Sequence, residues 1–322
     1  MPEDNTTGSS RDEADTRPRA QEICDLVASR PLSGNTGRAL RSDLAIYTAW
    51  CAESGCEPLP ATAETVAEFI DGMAAVRSPA TVRRYLASIN AAHRAAGGTD
   101  ISGSEPVRAA LGRMHRRKGR RQAQAQGLTW ELRERLLEAT GDRLIDLRDR
   151  ALLAVAYDTL MRRSELVAVR VSDIVDYGDG SASVLVRTSK TDPEGFGARA
   201  YVARDTMSLV RNWLRQAGVI EGRLFRSLCR GELGEGLGAG HVSRIFKRMA
   251  RTAGLPDGTV AAISGHSARV GAAQDMVEGG IGMAAILHSG RWKSPDMVNR
   301  YGEHLLARRS GAAMLARRQG RE

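Results

Sequence analysis

Arg162, Lys190, His266, Arg269, Trp292 and Tyr301 are the side-chain types needed to pass a phosphoryl group from one alcohol to another without a metal. Such a transfer requires neutralising two non-bridging oxygens, activating a nucleophile and protonating the leaving oxygen. Arg162 and Arg269 suit the first task, since guanidinium is planar, permanently charged and able to donate two parallel hydrogen bonds to phosphate. His266 precedes Arg269 by three residues, so both lie on one face of a helix or its N-terminus, where the imidazole can donate to phosphate or accept a phenolic proton. Trp292 offers its indole N–H to a phosphate oxygen. Lys190, in a polar turn between strand-like segments, can protonate a leaving 5′-oxygen. Tyr301 is the candidate nucleophile. Glu165, three residues after Arg162, could form with it an ordinary ion pair worth only about 0.3 kcal/mol and needing no function. Individually each residue has an unremarkable structural explanation. Their ordered occurrence points to cutting and rejoining of DNA.

The bulk of the chain agrees with that chemistry. At 322 residues and 42% hydrophobic content it can bury two ordinary cores. A net charge of +9 favours a polyanionic partner, because neutralising phosphates releases counterions. Arginine provides 43 of the 47 basic residues, so a single arginine says little, whereas each of the four lysines says more. Cys24, Cys51, Cys56 and Cys229 lack the paired spacing of a zinc site or disulfide framework, which fits a reducing cytoplasm. The longest apolar stretch, Ala151 to Met161, falls short of the roughly 20 residues that span a bilayer. A soluble, cytoplasmic protein, nucleoid-associated when bound to DNA, is expected.

These side chains need elements to position them. Residues 1–35 mix charged, small and proline residues and are expected to form a disordered tail. Residues 36–121 are helical throughout, with stripes at Leu40, Leu44, Tyr47 and Cys51 and at Val66, Phe69, Ile70 and Met73. A third helix starts with Ser78 as cap and Pro79 at its first position and ends near Gly97, and a fourth runs from Glu105 to Met114. A basic run, 113–121, leads into a linker at 122–128. From 129 to 322 a second domain opens with Thr129 capping a helix, followed by a buried helix from Ile145 to Leu160. Strand patterns at 173–177, 183–187 and 198–203 predict a small antiparallel sheet with Lys190 at a hairpin tip. Helices then return at about 205–216, 240–252, 267–278, 283–288 and 295–301.

Base-edge contacts require polar faces on such helices. The candidates are Arg83, Arg84, Asn90 and Arg94 in the first domain and His241, Ser243, Arg244, Lys247 and Arg248 in the second. Arg116, Arg117, Lys118, Arg120 and Arg121 are suited to phosphates along the connection between domains.

Tyr157 to Arg162, Val169 to Ile174, Ser264 to Ala273 and the Trp292-to-Tyr301 spacing together resemble the tyrosine recombinases, the phage integrase family, and within them the Cre-like site-specific recombinases. The resemblance runs from about Gly37 to the C-terminus and is weaker in the N-terminal part, around Ala49 to Cys51 and Asn90 to Arg94. It implies a mainly α fold with a small antiparallel sheet in the C-terminal domain, two domains forming a C-shaped clamp on duplex DNA. It also implies a 3′-phosphotyrosyl intermediate, a free 5′-hydroxyl, a Holliday junction and no metal or nucleotide cofactor. By motif, Arg162 and Arg269 correspond to the phosphate clamp, Lys190 to the general acid, His266 and Trp292 to further phosphate contacts, Tyr301 to the nucleophile and Glu165 to a supporting carboxylate. Leu160 departs from the glycine many members carry there, a departure the Cre-like group shares. The apolar tail, Leu305 to Leu315, corresponds to a helix that docks on a neighbouring protomer, giving a homotetramer on two DNA sites with short inverted repeats. Two alternatives differ from this expectation: a type IB topoisomerase, against which the apolar tail argues, and a DNA-binding protein that no longer cleaves, which would lack a catalytic residue.

Overall fold

The computed structural model describes residues 27, 34–121, 124–188 and 195–321. The chain divides into two compact units between residues 123 and 124. Most of the expected tail, 1–35, and residues 122 and 123 of the expected linker lie outside the described residues, as does Lys190.

The first unit is built on α1 (Gly34–Ser54), α2 (Ala63–Val76), α3 (Pro79–Ala95) and α4 (Glu105–Lys118). Thr62 and Ser78 cap α2 and α3, their hydroxyls accepting from the amides of Thr65 at 3.1 Å and Thr81 at 3.3 Å. Tyr47 and Cys51 of the first predicted stripe meet Val66, Phe69 and Ile70 of the second in one core, where Phe69 packs edge-on against Tyr47 and Trp50, while Leu40 and Leu44 pack with Ala92 in a smaller cluster. Helix α4 extends four residues beyond Met114, so the first part of the basic run is helical. There Arg113 pairs with Asp71, and the Lys118 ammonium donates to the carbonyls of Ala75 (3.3 Å) and Arg77 (2.9 Å), satisfying acceptors at the end of α2. Asn90 is not on an outer face. It is buried, its amide donating to Asp100 at 2.9 Å and its carbonyl accepting from the Ile101 amide at 3.1 Å, so it holds a loop and is withdrawn as a base reader.

The second unit begins with α5 (Trp130–Glu138), α6 (Leu144–Thr159) and the single turn α7 (Arg163–Leu166). Thr129 occupies the N-cap of α5 without making the expected side-chain bond. The Asp275 carboxylate takes that role, accepting from the Trp130 amide at 2.6 Å. Strands β1 (Ile174–Asp176), β2 (Ala182–Val186) and β3 (Ala198–Val202) form an antiparallel sheet in that order, with Val184 opposite both Ile174 and Ala200. The alternate residues Ala182, Val184, Val186, Ala200 and Val202 join the core beneath. Next come α8 (Arg204–Ala217), a short hairpin of β4 (Leu228–Cys229) and β5 (Glu232–Leu233), α9 (Ala239–Thr252) and α10 (Asp257–Ala262). The hairpin and α10 carry too few periodic residues to be visible in sequence. Helices α11 (Ser267–Glu278), α12 (Met283–Gly290), α13 (Asp296–Tyr301), α14 (Glu303–Ala307) and α15 (Gly311–Arg318) complete the chain.

Residues 124–128 pass directly over α11. The Leu128 amide donates to the Ser267 carbonyl at 2.9 Å. A Cβ on Gly271 would sit 1.9 Å from the Leu128 carbonyl oxygen, so only glycine permits this backbone crossing.

Candidate active site

The turn between α6 and α7 is strained where the chemistry begins. Leu160 adopts left-handed backbone angles (φ 50°, ψ 27°), a conformation that a residue with a Cβ reaches only at a steric cost that glycine avoids. Its fully buried side chain packs on Ala272 and Ala273, burial that offsets a conformational cost of about 1 kcal/mol. The turn aims the Leu160 carbonyl at Arg269, which donates to it through Nη1 and to the Gly290 carbonyl through Nη2 at 2.6 Å. The guanidinium also lies 4.3 Å over the Trp292 ring. Trp292 in turn faces Tyr301 edge-on, with centroids 6.0 Å apart. Gly290 makes this stack possible, since a Cβ there would lie 2.0 Å from the indole.

Glu165 is more than the partner in a surface pair. Nearly inaccessible to solvent, it accepts from Arg162 Nη1 at 2.7 Å, from the Arg162 amide at 3.0 Å and from Arg291 Nη2 at 3.3 Å. One buried carboxylate thus orients two guanidiniums. Arg291, which has no role in the sequence reading, also donates to the Thr159 carbonyl at 3.1 Å. Its place beside Glu165 follows from a left-handed backbone at Arg291 (φ 54°), which nothing in the sequence signals. Desolvation, followed by the neighbouring Arg162 and Arg291 charges, pulls the Arg269 pKa down to about 10, so it remains a cation at neutral pH. Arg162, Arg163, Arg269 and Arg291 around Glu165 leave an excess of positive charge, suited to an anion such as a phosphodiester.

His266 sits at the N-terminus of α11, its amide bonded to the Ser264 hydroxyl at 3.1 Å. Its rim is exposed, yet partial desolvation first, and then the charges of Arg269, Arg163 and Arg162, lower its pKa below the ordinary 6.5. The ring is therefore neutral at physiological pH and free to accept a proton. Because the folded value is depressed, the stability His266 contributes is complete above pH 6.5 and declines as pH falls towards the folded value. An NMR titration of the DNA-free protein is expected to place the His266 midpoint below 6.5 and to move it upward in Arg162→Ala; a midpoint above 6.5 would contradict this environment.

Arg162, His266, Arg269, Trp292, Tyr301 and Glu165 are thus brought together in the second unit, while Lys190 lies outside the described residues. Among the proposed DNA contacts, Arg83, Arg84 and Arg94 are exposed on α3, with Arg84 paired to the buried Asp43 at 2.8 Å. Arg116 and Arg117 are exposed on α4, with Arg120 and Arg121 just beyond it. On α9, His241 and Arg244 are exposed and Ser243 is half-buried. Lys247 donates to the Ala261 carbonyl at 2.9 Å and Arg248 pairs with the buried Asp149, so these two also anchor the helix.

Residues 127–308 match the phage integrase family. The chain is 29% identical over 309 residues to the recombinase cre of Escherichia phage P1, covering 88% of this chain and 89% of that protein. It is 31% identical over 301 residues to an integrase/recombinase xerD homolog of Selenomonas ruminantium, covering 88% and 86%. Among solved structures its fold is similar to the XerH site-specific recombinase bound to a palindromic difH substrate, with a TM-score of 0.62, 16% identity, and 88% of this chain and 80% of that one covered. It is also similar to a lambda integrase dimer bound to a core site, with a TM-score of 0.59, 20% identity, and 89% and 94% covered.

Proposed function

This chain belongs to the phage integrase family, and from that membership we propose how its own residues carry out site-specific recombination through a phosphotyrosine. It is an enzyme that cleaves and rejoins DNA. Arg162 and Arg269 bind the non-bridging oxygens of a DNA phosphodiester, aided by Trp292. The Tyr301 phenol attacks phosphorus as His266 accepts its proton. A bond from phosphorus to the tyrosyl oxygen forms on the 3′ side, and the bond to the 5′-oxygen breaks with a proton supplied by Lys190. A 5′-hydroxyl from a second strand reverses the step and rejoins the DNA through a Holliday junction. The phosphotyrosine conserves the bond energy, so neither nucleotide nor metal is required by this balance. The observation that carries the assignment is the stack of Arg269, Trp292 and Tyr301 beside the arginines ordered by Glu165.

The exposed basic residues of α3, α4 and α9 hold duplex DNA with short inverted repeats, mostly through phosphates. Helix α15 leaves Met314 and Leu315 half exposed, which supports docking on a second copy and a homotetramer on two DNA sites. The working place is the cytoplasm, at the nucleoid.

The test is to incubate the protein with nicked, fragmented plasmid and genomic DNA and sequence the SDS-resistant adducts. A recurring site, with 5′ ends that accept phosphate from a kinase without prior phosphatase, is the expected result. Tight DNA binding with no adducts would defeat the assignment.

A further inference from the structure

The carbonyl oxygen of Tyr301 accepts two side-chain amides, from Gln274 Nε2 at 3.0 Å and from Gln124 Nε2 at 3.2 Å. Tyr301 is the last residue of α13, so its carbonyl is one of the helix-end acceptors without an intrahelical donor. A single donor would satisfy it. Two donors approaching from separate segments also fix where it lies.

The two segments have distinct origins. Gln274 is on α11, five residues after Arg269, so the helix that carries a phosphate-binding arginine also holds the backbone of the nucleophile. Gln124 belongs to the segment that enters the second unit. That segment is itself secured by the Gln126 amide on the Ala262 carbonyl (3.0 Å) and the Leu128 amide on Ser267 (2.9 Å). Gly127 lies so close to Gln274 that a Cβ there would fall 2.0 Å from Oε1, which leaves the buried amide little freedom to turn away.

We propose that Gln124 and Gln274 are positioning residues for the nucleophile, a pair of amides that sets the end of α13 and makes the placement of Tyr301 depend on the segment leading into the second unit. The proposal rests on Tyr301 as the attacking group. A displacement near 1 Å of a reacting group costs about 100-fold in rate, so a hold on the backbone is a hold on catalysis.

The full-length wild type, Gln124→Ala, Gln274→Ala and the double variant would be compared in two measurements. The first is hydrogen exchange without DNA. The double variant should exchange about tenfold faster over 296–302 with 267–278 unchanged. The second is single-turnover adduct formation at saturating DNA, on a site recovered from wild-type adducts. Because either amide alone still satisfies the carbonyl, single alanine variants should lose about threefold and the double variant about 100-fold, with DNA affinity within about twofold. Unchanged exchange in the double variant would overturn the clamp. Faster exchange with an undiminished cleavage rate, or loss of DNA affinity in parallel with rate, would overturn the positioning role. Absence of a wild-type adduct would instead remove Tyr301 as nucleophile, and the positioning role with it, while exchange would still report the clamp.

Discussion

Tyr301→Phe is expected to reduce the SDS-resistant protein–DNA adduct below detection while leaving DNA affinity within about twofold and the fold intact. The substitution removes one oxygen and little else. The ring remains edge-on to Trp292, and its apolar surroundings, Leu160, Ala272 and Ala273, are indifferent to the loss of a hydroxyl. The backbone carbonyl still accepts Gln124 and Gln274, so α13 keeps its end. The loss should therefore be in the chemical step alone, seen as a vanished covalent band beside an unaltered mobility shift and melting curve. A persisting adduct would mean that another side chain attacks phosphorus, and peptide mapping of the adduct would identify it.

How far the site could be read from sequence depended on which kind of interaction placed each residue. His266 and Arg269 were legible because a three-residue spacing on a helix fixes a shared face. The stripe at Val66, Phe69 and Ile70 was legible for the same reason, and all three residues are buried. Asn90 was misassigned because its position on α3 cannot reveal that Asp100 and Ile101, in a later loop, fold back to use its amide. Helix α4 was cut short because a run of like charges reads as solvated chain, whereas the acceptors at the end of α2 draw Lys118 into the structure. Arg291, Gln274 and Gln124 were missed for a related reason. Each acts through a backbone carbonyl or a buried carboxylate supplied by a distant segment, and such acceptors leave no mark on the local sequence.

Arg269 offers the second large effect, because its guanidinium is both part of the scaffold and a binding group. It has five N–H donors, and the Leu160 and Gly290 carbonyls engage Nη1 and Nη2, leaving three to meet a phosphate. Arg269→Ala removes all of these and orphans two buried carbonyls, at about 1–3 kcal/mol each. Cleavage at saturating DNA should fall about 1000-fold, with a lower melting temperature. Arg269→Lys separates the two roles. Lysine keeps the charge and can reach one carbonyl or the phosphate, but its compact ammonium cannot bridge Leu160, Gly290 and a phosphate while stacked on Trp292. A loss of about 100-fold in single-turnover cleavage is expected for Arg269→Lys, with most of the thermal stability retained. If lysine instead restores cleavage to near the wild-type rate, the charge at this position is sufficient, and the planar fork seated between the strained Leu160 turn and the Gly290 carbonyl serves the fold alone.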